Sequence, residues 1–480
     1  MNTIRIVILW ALAGGVCGPV GARNWTAPVM ATWTDDPRTT VTLAWERPAA
    51  ATAQVTYGVD EPADDSRRPA FQTVAFTNAV PRHVVTLRDL TPGTHYRYTM
   101  SSSDGYEATG QWWTAPASPE QPFSFVLLND LQGGLNADAA KAVAAGVVAA
   151  QPTFVLSAGD LADSRHAHDY AGVIRSWQLM YECLEDVFAA GVFQPVAGNH
   201  DEPENPDSFW YRLLELPGDQ RDYVFDVGPI RFIMVDATKN EAASRMAWLA
   251  RELQQAAYDP AVTWVIPTFH RPPYSWGERG GDEDIRQWWT PLFTRYEVGL
   301  VISGHAHTYQ RTRPIEGVPY LVSGGSGGWL YAVDEQQPEI AFATSVYHFV
   351  EFRVEAERLG LEAKGADGTV FDRASYVARH HVQVEPVFPV RGENCTIRYD
   401  ARGGPLADAG QIHLHLGRDD FTEALLDVPM KRDAAGVWTA TFVVPESPKW
   451  HLAFCFHDPQ RERWHNNYTY NWQALVAREW

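Results

Sequence analysis

The chain has 480 residues, which at roughly 150 residues per domain predicts about three domains, and its 45% hydrophobic and 20% charged residues are typical of a folded globular protein. Its formal net charge of −20 disfavours partners bound by charge alone, namely nucleic acids and anionic membranes. An anionic substrate would therefore need local positive charge, which bound metal ions could supply.

The first 22 residues have the pattern of a secretory signal peptide. One positive charge at Arg5 precedes an apolar stretch over 6–13, and the small residues of Val20-Gly21-Ala22 predict cleavage after Ala22. The apolar stretch is short for a membrane span, and an uncleaved anchor is the alternative interpretation. The mature chain is expected to be secreted or periplasmic and to have no membrane attachment.

Residues 23–117 carry short runs that alternate apolar and polar side chains and are separated by Pro, Gly and Asp, a pattern that predicts strands. The turn Leu90-Thr91-Pro92-Gly93-Thr94 comes just before Tyr96. With this turn, the segment resembles a fibronectin type III-like domain, which implies a β-sandwich. The runs are 40–45, 53–57, 83–87 and 95–99.

Residues 121–377 alternate apolar runs with amphipathic helical stretches such as 136–150 and 169–190. Short apolar runs without polar alternation predict strands that are buried on both faces. This alternation of strands and helices predicts a central α/β (βαββ) sandwich domain. The apolar runs are 123–129, 153–158, 193–197, 231–235, 262–268, 300–303 and 319–323.

Five polar motifs each follow one of these apolar runs and enter a loop, which is where α/β sheets place their binding sites. A bridging carboxylate with imidazole, amide and carboxylate partners is the ligand set of a two-metal centre. The motifs are Asn129-Asp130-Leu131-Gln132, Gly159-Asp160-Leu161-Ala162-Asp163, Gly198-Asn199-His200-Asp201, Thr268-Phe269-His270 and Gly304-His305-Ala306-His307.

Residue chemistry suggests a role for each member of these motifs. Asp160 is the expected bridge between the two ions. His200 is expected to assist the leaving group while a hydroxide held by the metals attacks phosphorus, and Asp201 is expected to orient the His200 imidazole. One metal is expected to bind Asn199, His270 and His305, and the other to bind Asp130 and His307.

These motifs are similar to those of the calcineurin-like metallophosphoesterases. The stretch 304–312, the glycine-rich stretch 324–328 and the segments around 347–349 and 371–372 resemble the purple acid phosphatase branch. The resemblance covers about 23–377 and implies a sandwich domain followed by a dinuclear catalytic domain.

Two positions depart from that resemblance. Purple acid phosphatases carry a tyrosine ligand where this chain has Asp163, and the wider superfamily has histidine where this chain has Gln132. Both residues are oxygen donors, and each is either a metal ligand or a neighbour of one. The oxygen donors favour iron, manganese, magnesium or calcium at that position, and zinc remains a candidate for the pair. His166 and His168, in the next loop, are interpreted as solvated, with substrate contact as the alternative.

The last segment, 385–480, returns to β patterning and is expected to be a third, β-sandwich domain. Its stretch 463–472 resembles the signature of starch-binding modules, which implies an α-glucan partner. The alternative is a sandwich core with Trp438 and Trp472 buried. Cys395 and Cys455 either form a disulfide or are two buried thiols. The candidate carbohydrate-binding residues are His413, His415, Trp464, Asn466, Asn467 and Trp472.

These patterns together predict a secreted, dinuclear metal-dependent hydrolase of phosphate esters, with monoesters favoured over diesters and tethering to an α-glucan as an added hypothesis. A phosphodiesterase or nucleotide hydrolase is the alternative within the class. A carbohydrate-binding surface protein with a relic metal site is the alternative outside it.

Overall fold

The computed structural model describes residues 26–60, 71–132, 135–167, 169–202, 208–238, 242–355, 357–378, 381–446, 448 and 450–477. The expected signal peptide at 1–22 and His168 lie outside these residues. No helix within the described ranges combines the length and the apolar character needed to cross a bilayer.

The first domain consists of strands that are joined into one hydrogen-bonded sheet. β2 is long and bulged between Glu46 and Ala53, so the two runs predicted as separate strands at 40–45 and 53–57 form one strand. Its first half pairs with β1 and its second half with β4, which joins strands that a sandwich would divide between two sheets. The strands are β1 (Ala27–Thr32), β2 (Val41–Val59), β3 (Gln72–Leu87), β4 (His95–Ser102) and β5 (Glu107–Trp113).

The central region alternates strands and helices, and each of the seven predicted apolar runs overlaps a strand. Its elements in chain order are β6 (Phe123–Leu127), α1 (Ala137–Ala150), β7 (Phe154–Ser157), α2 (Tyr170–Ala190), β8 (Val192–Pro195), α3 (Phe209–Leu213), β9 (Tyr223–Val227), β10 (Ile230–Met234), α4 (Ala242–Ala257), β11 (Trp264–Thr268), α5 (Glu283–Trp288), α6 (Thr290–Arg295), β12 (Val301–Ser303), β13 (Tyr309–Thr312), β14 (Tyr320–Ser323), β15 (Ile340–Thr344), β16 (His348–Glu355), β17 (Arg358–Gly365) and β18 (Val370–Val377).

Two sheets form the core of this region. The first sheet has the order β18-β17-β16-β6-β7-β8 and continues into the N-terminal strands, because β1 pairs in parallel with β8. The second has the order β15-β13-β14-β12-β11-β10-β9. Aromatic rings from the two sheets meet in the core, with the Phe125 and Phe232 centroids 5.3 Å apart. Helices α1 and α2 pack against the first sheet and α4 against the second.

The C-terminal region forms two antiparallel sheets, β19-β20-β24-β23 and β22-β21-β25-β26, with β27 also paired to β25. The rings of Tyr399 and Phe456 stack between them at 3.9 Å. Cys395 and Cys455 are buried free thiols. The strands are β19 (Val382–Glu385), β20 (Asn394–Tyr399), β21 (His413–Arg418), β22 (Glu423–Pro429), β23 (Lys431–Arg432), β24 (Trp438–Val443), β25 (His451–Asp458), β26 (Arg463–His465) and β27 (Trp472–Leu475).

This C-terminal sandwich contacts α4 and α6 through hydrogen bonds that are buried or partly buried. Gln254 of α4 donates to the Val387 carbonyl oxygen at 2.7 Å and accepts from the Leu475 backbone N–H at 2.5 Å. Tyr258 donates to the Gln473 carbonyl oxygen at 2.7 Å. Apolar side chains of the second sheet, of these helices and of the sandwich belong to one continuous cluster.

Candidate metal centre

The five motifs meet where strands of both central sheets end. Asp130, Asp160 and Asn199 follow β6, β7 and β8 of the first sheet, while His270 and His305 follow β11 and β12 of the second. Parallel strands end at the same edge, so their loops converge there. The expected ligands are therefore brought together from stretches of chain that lie far apart in sequence.

One group of possible ligand atoms consists of Asp160, His270 and His305, which lie within 4.8 Å of one another. The Nε2 atom of His270 is 3.2 Å from Asp160 Oδ2 and 3.2 Å from His305 Nδ1. The other ring nitrogen of His270, Nδ1, is 2.9 Å from the Ala158 carbonyl oxygen. That bond fixes the ring orientation and leaves Nε2 directed at the group, as in metal-binding histidines.

A second group consists of Asp130, Asp160 and His307. His307 Nε2 lies 3.6 Å from Asp130 Oδ1, and its Nδ1 is 2.6 Å from the Trp329 carbonyl oxygen. The Tyr331 ring stacks on His307 at 4.3 Å. Asp160 is common to both groups, which is the position expected of a carboxylate that bridges two ions.

Two unpartnered atoms show that this centre suits cations. Asn199 Oδ1 and His307 Nε2 are buried, and neither has a hydrogen-bond partner among the described residues. A buried polar atom without a partner costs about 1–3 kcal/mol, and a bound cation would remove that cost. Gln132 directs its amide at Asp160 Oδ2 over 3.4 Å, and because amide N and O are interchangeable assignments, its oxygen could face an ion instead.

The backbone around the centre is strained in a way that brings the ligands close. Asp130, Asp160 and His305 all have positive φ angles, of 59°, 56° and 68°. Non-glycine residues in this conformation cluster at functional sites, where surrounding structure holds them. A Cβ atom at Gly198 would lie 2.1 Å from Asp160 Oδ1, and one at Gly304 would lie 2.4 Å from Asp130 Oδ2. Only glycine therefore fits beside each carboxylate.

Burial and mutual charge set the ionisation of the ligands. Burial and the neighbouring Asp160 charge raise the pKa of Asp130 well above its usual value, although His270 opposes them. Burial alone would raise the pKa of Asp160 too, but the positive charge and hydrogen bond of His270 outweigh it and lower that pKa. Burial lowers the pKa of His307 to about 4, so this imidazole is neutral. Burial also opposes a charged His270, but Asp160 outweighs it and raises the pKa of His270 to about 9, so a metal ion has to displace a proton there.

His200 is held at the edge of the centre by Asp163. Its Nδ1 is 2.6 Å from Asp163 Oδ1, and its Nε2 is 3.8 Å from Asp160 Oδ2. Burial opposes the charged imidazole, but Asp163 and Asp160 outweigh it and raise the pKa of His200. Asp163 also contacts His166 Nδ1 at 3.1 Å. The Asp163 carboxylate therefore contacts His200 and His166, and it belongs to neither of the two ligand groups that contain Asp160.

The structure corrects the role expected of Asp201. This side chain is fully buried and accepts hydrogen bonds from the backbone N–H groups of Asp160, Leu161, Ala162 and Gly198, at 2.8–3.0 Å. It therefore organises two ligand loops and does not orient His200. Sequence adjacency to His200 suggested the wrong partner, because the turn directs the two side chains to different groups.

Sequence reasoning missed the aromatic pair Trp329 and Tyr331. Both follow the glycine-rich stretch 324–328, which returns to the centre through a hydrogen bond from Gly328 N–H to the Asp130 carbonyl oxygen at 2.7 Å. Trp329 is 62% exposed although its carbonyl oxygen contacts His307. A run of glycines that ends in aromatic residues was the available signal.

The structure separates the candidate carbohydrate-binding residues. Trp472 and Asn467 are 1% and 4% exposed, so neither can contact a surface sugar, and Asn467 Nδ2 donates to the Thr294 carbonyl oxygen at 2.8 Å. Asn466 lies in a turn, where its side chain accepts from Thr469 N–H. Trp464 is 46% exposed and lies with His413 and His415 near the outer face of the β21–β25 sheet.

Comparison with protein families follows the same division of the chain. Residues 123–309 match the family model of the calcineurin-like phosphoesterases, and residues 27–124 match that of the purple acid phosphatase N-terminal domain. The two matches lie along the chain in the order that the sequence motifs predicted.

Curated relatives match over about half of this chain. An uncharacterized protein of Mycobacterium tuberculosis is 27% identical over 271 residues, which are 48% of this chain and 50% of that protein. Acid phosphatase type 7 of Homo sapiens is 26% identical over 51% of this chain and 59% of its own length. Purple acid phosphatase 23 of Arabidopsis thaliana is 24% identical over 55% and 66%. The chain thus spans between half and two thirds of these relatives.

Solved structures share the fold. The purple acid phosphatase PPD1 of yellow lupin superposes with a TM-score of 0.58 at 18% identity, covering 73% of this chain and 74% of that one. The structure of PhoD superposes with a TM-score of 0.55 at 12% identity, covering 76% and 92%. At these identities the likeness concerns the fold alone.

Proposed function

We propose that this chain, which carries a calcineurin-like phosphoesterase domain behind a purple acid phosphatase N-terminal domain, hydrolyses phosphate esters at a centre of two metal ions. The observation that carries the proposal is that Asp160 belongs to two separate groups of ligand atoms. A shared carboxylate holds two cations at the separation that suits attack on a phosphoryl group.

When bound, the two cations supply an activated water and neutralise the charge on the phosphoryl oxygens. The remaining work falls to side chains of the chain itself. Asp163 holds Nδ1 of His200, so that Nε2 faces the centre. Burial opposes a charged His200, but Asp163 and Asp160 outweigh it and raise its pKa, which favours the protonated imidazole that the proposed role at the leaving oxygen needs. Asn199, His270, His305, Asp130 and His307 are the proposed ligands, with Gln132 as a further oxygen donor.

We propose phosphomonoesters as the preferred substrates over phosphodiesters or nucleotides. The printed names of the relatives, acid phosphatase type 7 and purple acid phosphatase 23, favour this choice. The metals are proposed from iron, manganese, zinc, magnesium and calcium, because the ligand set combines hard oxygen donors with imidazoles.

Secretion of the chain is a further proposal, and its support is the pattern of residues 1–22. The hypothesis of α-glucan tethering retains one well-exposed aromatic of its set, Trp464, since Trp472 is buried. The proposed hydrolysis does not depend on this tethering. The alternative of a surface protein with a relic metal site is disfavoured, because every expected ligand type is present at the centre.

The test compares wild-type protein with Asp160→Asn after reconstitution with each metal. Hydrolysis of 4-nitrophenyl phosphate and of bis(4-nitrophenyl) phosphate is measured, together with metal content. Loss of the bridging charge is expected to lower kcat/KM by about 10³-fold, since the two-metal arrangement fails. Asp367→Asn, an exposed aspartate in the β17–β18 turn, is the matched control and should retain activity.

A faster monoester reaction would support a phosphomonoesterase, and a faster diester reaction would favour the alternative. Full metal loading of the wild-type protein without turnover of either ester would contradict the proposed activity on simple phosphate esters.

A further inference from the structure

Three histidines surround one carboxylate on the C-terminal sandwich, away from the two central sheets. His413 and His415 are two residues apart on β21, so their side chains share one face of the sheet. The register places His457 of β25 opposite His413, and Asp427 of β22 opposite His415. The sheet thus gathers the histidine–Asp427 cluster, defined by His413, His415, His457 and Asp427.

The cluster is organised around both oxygens of the carboxylate. His413 Nδ1 is 2.7 Å from Asp427 Oδ2, and His457 Nε2 is 2.7 Å from Asp427 Oδ1. His415 Nδ1 lies 3.4 Å from Oδ1, and this buried atom has no hydrogen-bond partner among the described residues. The possible ligand atoms of His413, Asp427 and His457 all lie within 4.8 Å of one another.

Neighbouring side chains fix the three imidazoles. Trp464 stacks on His457 with ring centroids 4.4 Å apart and 14° between planes. Phe421 stacks on His415 at 5.4 Å and 8°. The Gln411 amide lies 2.9 Å from His413 Nε2, so that its Nδ1 remains directed at Asp427. Outer partners of this kind orient metal-binding histidines and reduce the entropy lost on binding an ion.

We propose that His413, His457 and Asp427 bind a divalent transition-metal ion of the zinc class, separate from the catalytic pair. Two imidazoles and one carboxylate form a three-ligand zinc set, and the 43% exposure of the Asp427 side chain gives water access to complete it. His415 Nδ1 is the nearest further donor. The inference goes beyond the proposed hydrolysis and does not depend on it.

The test uses the full-length chain, stripped with a chelator and titrated with Zn²⁺. The double variant His413→Gln/His457→Gln is compared with wild type and with His451→Gln, a histidine of the same sandwich outside the cluster. Wild type and the control should bind one zinc ion more than the double variant. The single variant His457→Gln should weaken that site by more than about 10–100-fold, which is the loss typical of removing only an outer partner of a ligand.

The far-UV circular dichroism spectrum serves as the independent readout of folding, because it does not depend on the proposed hydrolysis. It should be unchanged in the double variant. Co²⁺ binding adds a spectroscopic signature, because four-coordinate cobalt with nitrogen and oxygen ligands absorbs visible light and the double variant should lose that component. Equal zinc stoichiometry in wild type and the double variant would overturn the proposal. The cluster would then be a hydrogen-bonded network only.

Discussion

The candidate metal centre and the histidine–Asp427 cluster contain the same types of side chain, histidine and aspartate, but the chain brings these side chains together in different ways. At the centre, Asp130 and His270 are fully buried on loops that follow strands of two different sheets. In the cluster, Asp427 has a side chain that is 43% exposed, and each member stands at a regular position within a strand. One assembly is formed by converging loops and the other by cross-strand register.

The difference lies in how closely ligands can approach and what this costs. Cross-strand neighbours on one sheet face are about 4.5–5.5 Å apart at Cβ, so only side-chain reach brings their donor atoms together. Residues in loops are not limited to this cross-strand spacing. At the centre, positive φ angles at Asp130, Asp160 and His305 allow the ligands to come closer together. Such backbone is unfavourable by about 1–3 kcal/mol per residue, and other contacts must stabilise it. Asp201 provides part of that stabilisation.

The largest effect is therefore expected from Asp201→Ala, which would leave four backbone N–H groups of the ligand loops without their acceptor. Unfolding in urea, measured on metal-free protein, should show a loss of about 4 kcal/mol. Asp427→Ala is the counterpart in the cluster and should cost about 1 kcal/mol or less, since the Asp427 side chain itself is 43% exposed to water. Similar losses of unfolding free energy in Asp201→Ala and Asp427→Ala would contradict the proposed difference between the centre and the cluster.

A smaller effect is expected from Asp163→Asn, which tests the assignment of Asp163 to His200. The weaker contact to Nδ1 should lower kcat for a phosphomonoester by about 10–100-fold, the usual effect of removing an orienting partner. Metal content should stay at the wild-type level, because Asp163 contacts the histidines and neither Asp130 nor Asp160. His166→Ala removes the other imidazole on Asp163 and should change kcat much less. Loss of metal from Asp163→Asn would instead identify Asp163 as a ligand.

The smallest effect concerns His348, which is buried beneath the glycine-rich stretch, away from the ligands. Burial lowers the pKa of His348 to about 4, below the usual value of about 6.5 in the unfolded chain. The folded state therefore binds fewer protons, and stability is lost as pH falls from about 6.5 towards 4. Between pH 7 and pH 5.5, wild type should lose about 1 kcal/mol more than His348→Gln. Between pH 7.5 and 8.5 the two unfolding curves should keep a constant separation, and a changing one would contradict the assignment.

The sequence predicted the centre better than the cluster for a physical reason. Asp160, His270 and His305 each follow an apolar run, and strands of that kind end at a common edge, so proximity could be inferred without coordinates. The contact between Asp163 and His200 spans 37 positions, and nothing in the local pattern selects it over Asp201. The partners of His413 depend on which strands pair and in what register, which alternation alone does not determine.

Burial in the C-terminal sandwich was open for the same reason. Trp464 and Trp472 have similar sequence surroundings, yet one is 46% exposed and the other 1%. Asn467 is buried because the sandwich packs against α6, where its side chain donates to the Thr294 carbonyl oxygen, and no short motif encodes that contact. The single N-terminal sheet likewise depends on the length and the bulge of β2. The sequence pattern predicted two shorter strands there and gave no sign that they are continuous.

The amide of Gln254 has a consequence for how the chain can be divided. It lies on α4 but bonds to Val387 and Leu475 of the sandwich, so separating the two parts would leave a buried amide exposed on one side and unpaired strand backbone on the other. A domain exchange that cut the chain near residue 380 would separate Gln254 from Val387 and from Leu475 at the same time. The C-terminal sandwich thus shares an apolar cluster and hydrogen bonds with the central region and is not an interchangeable cassette.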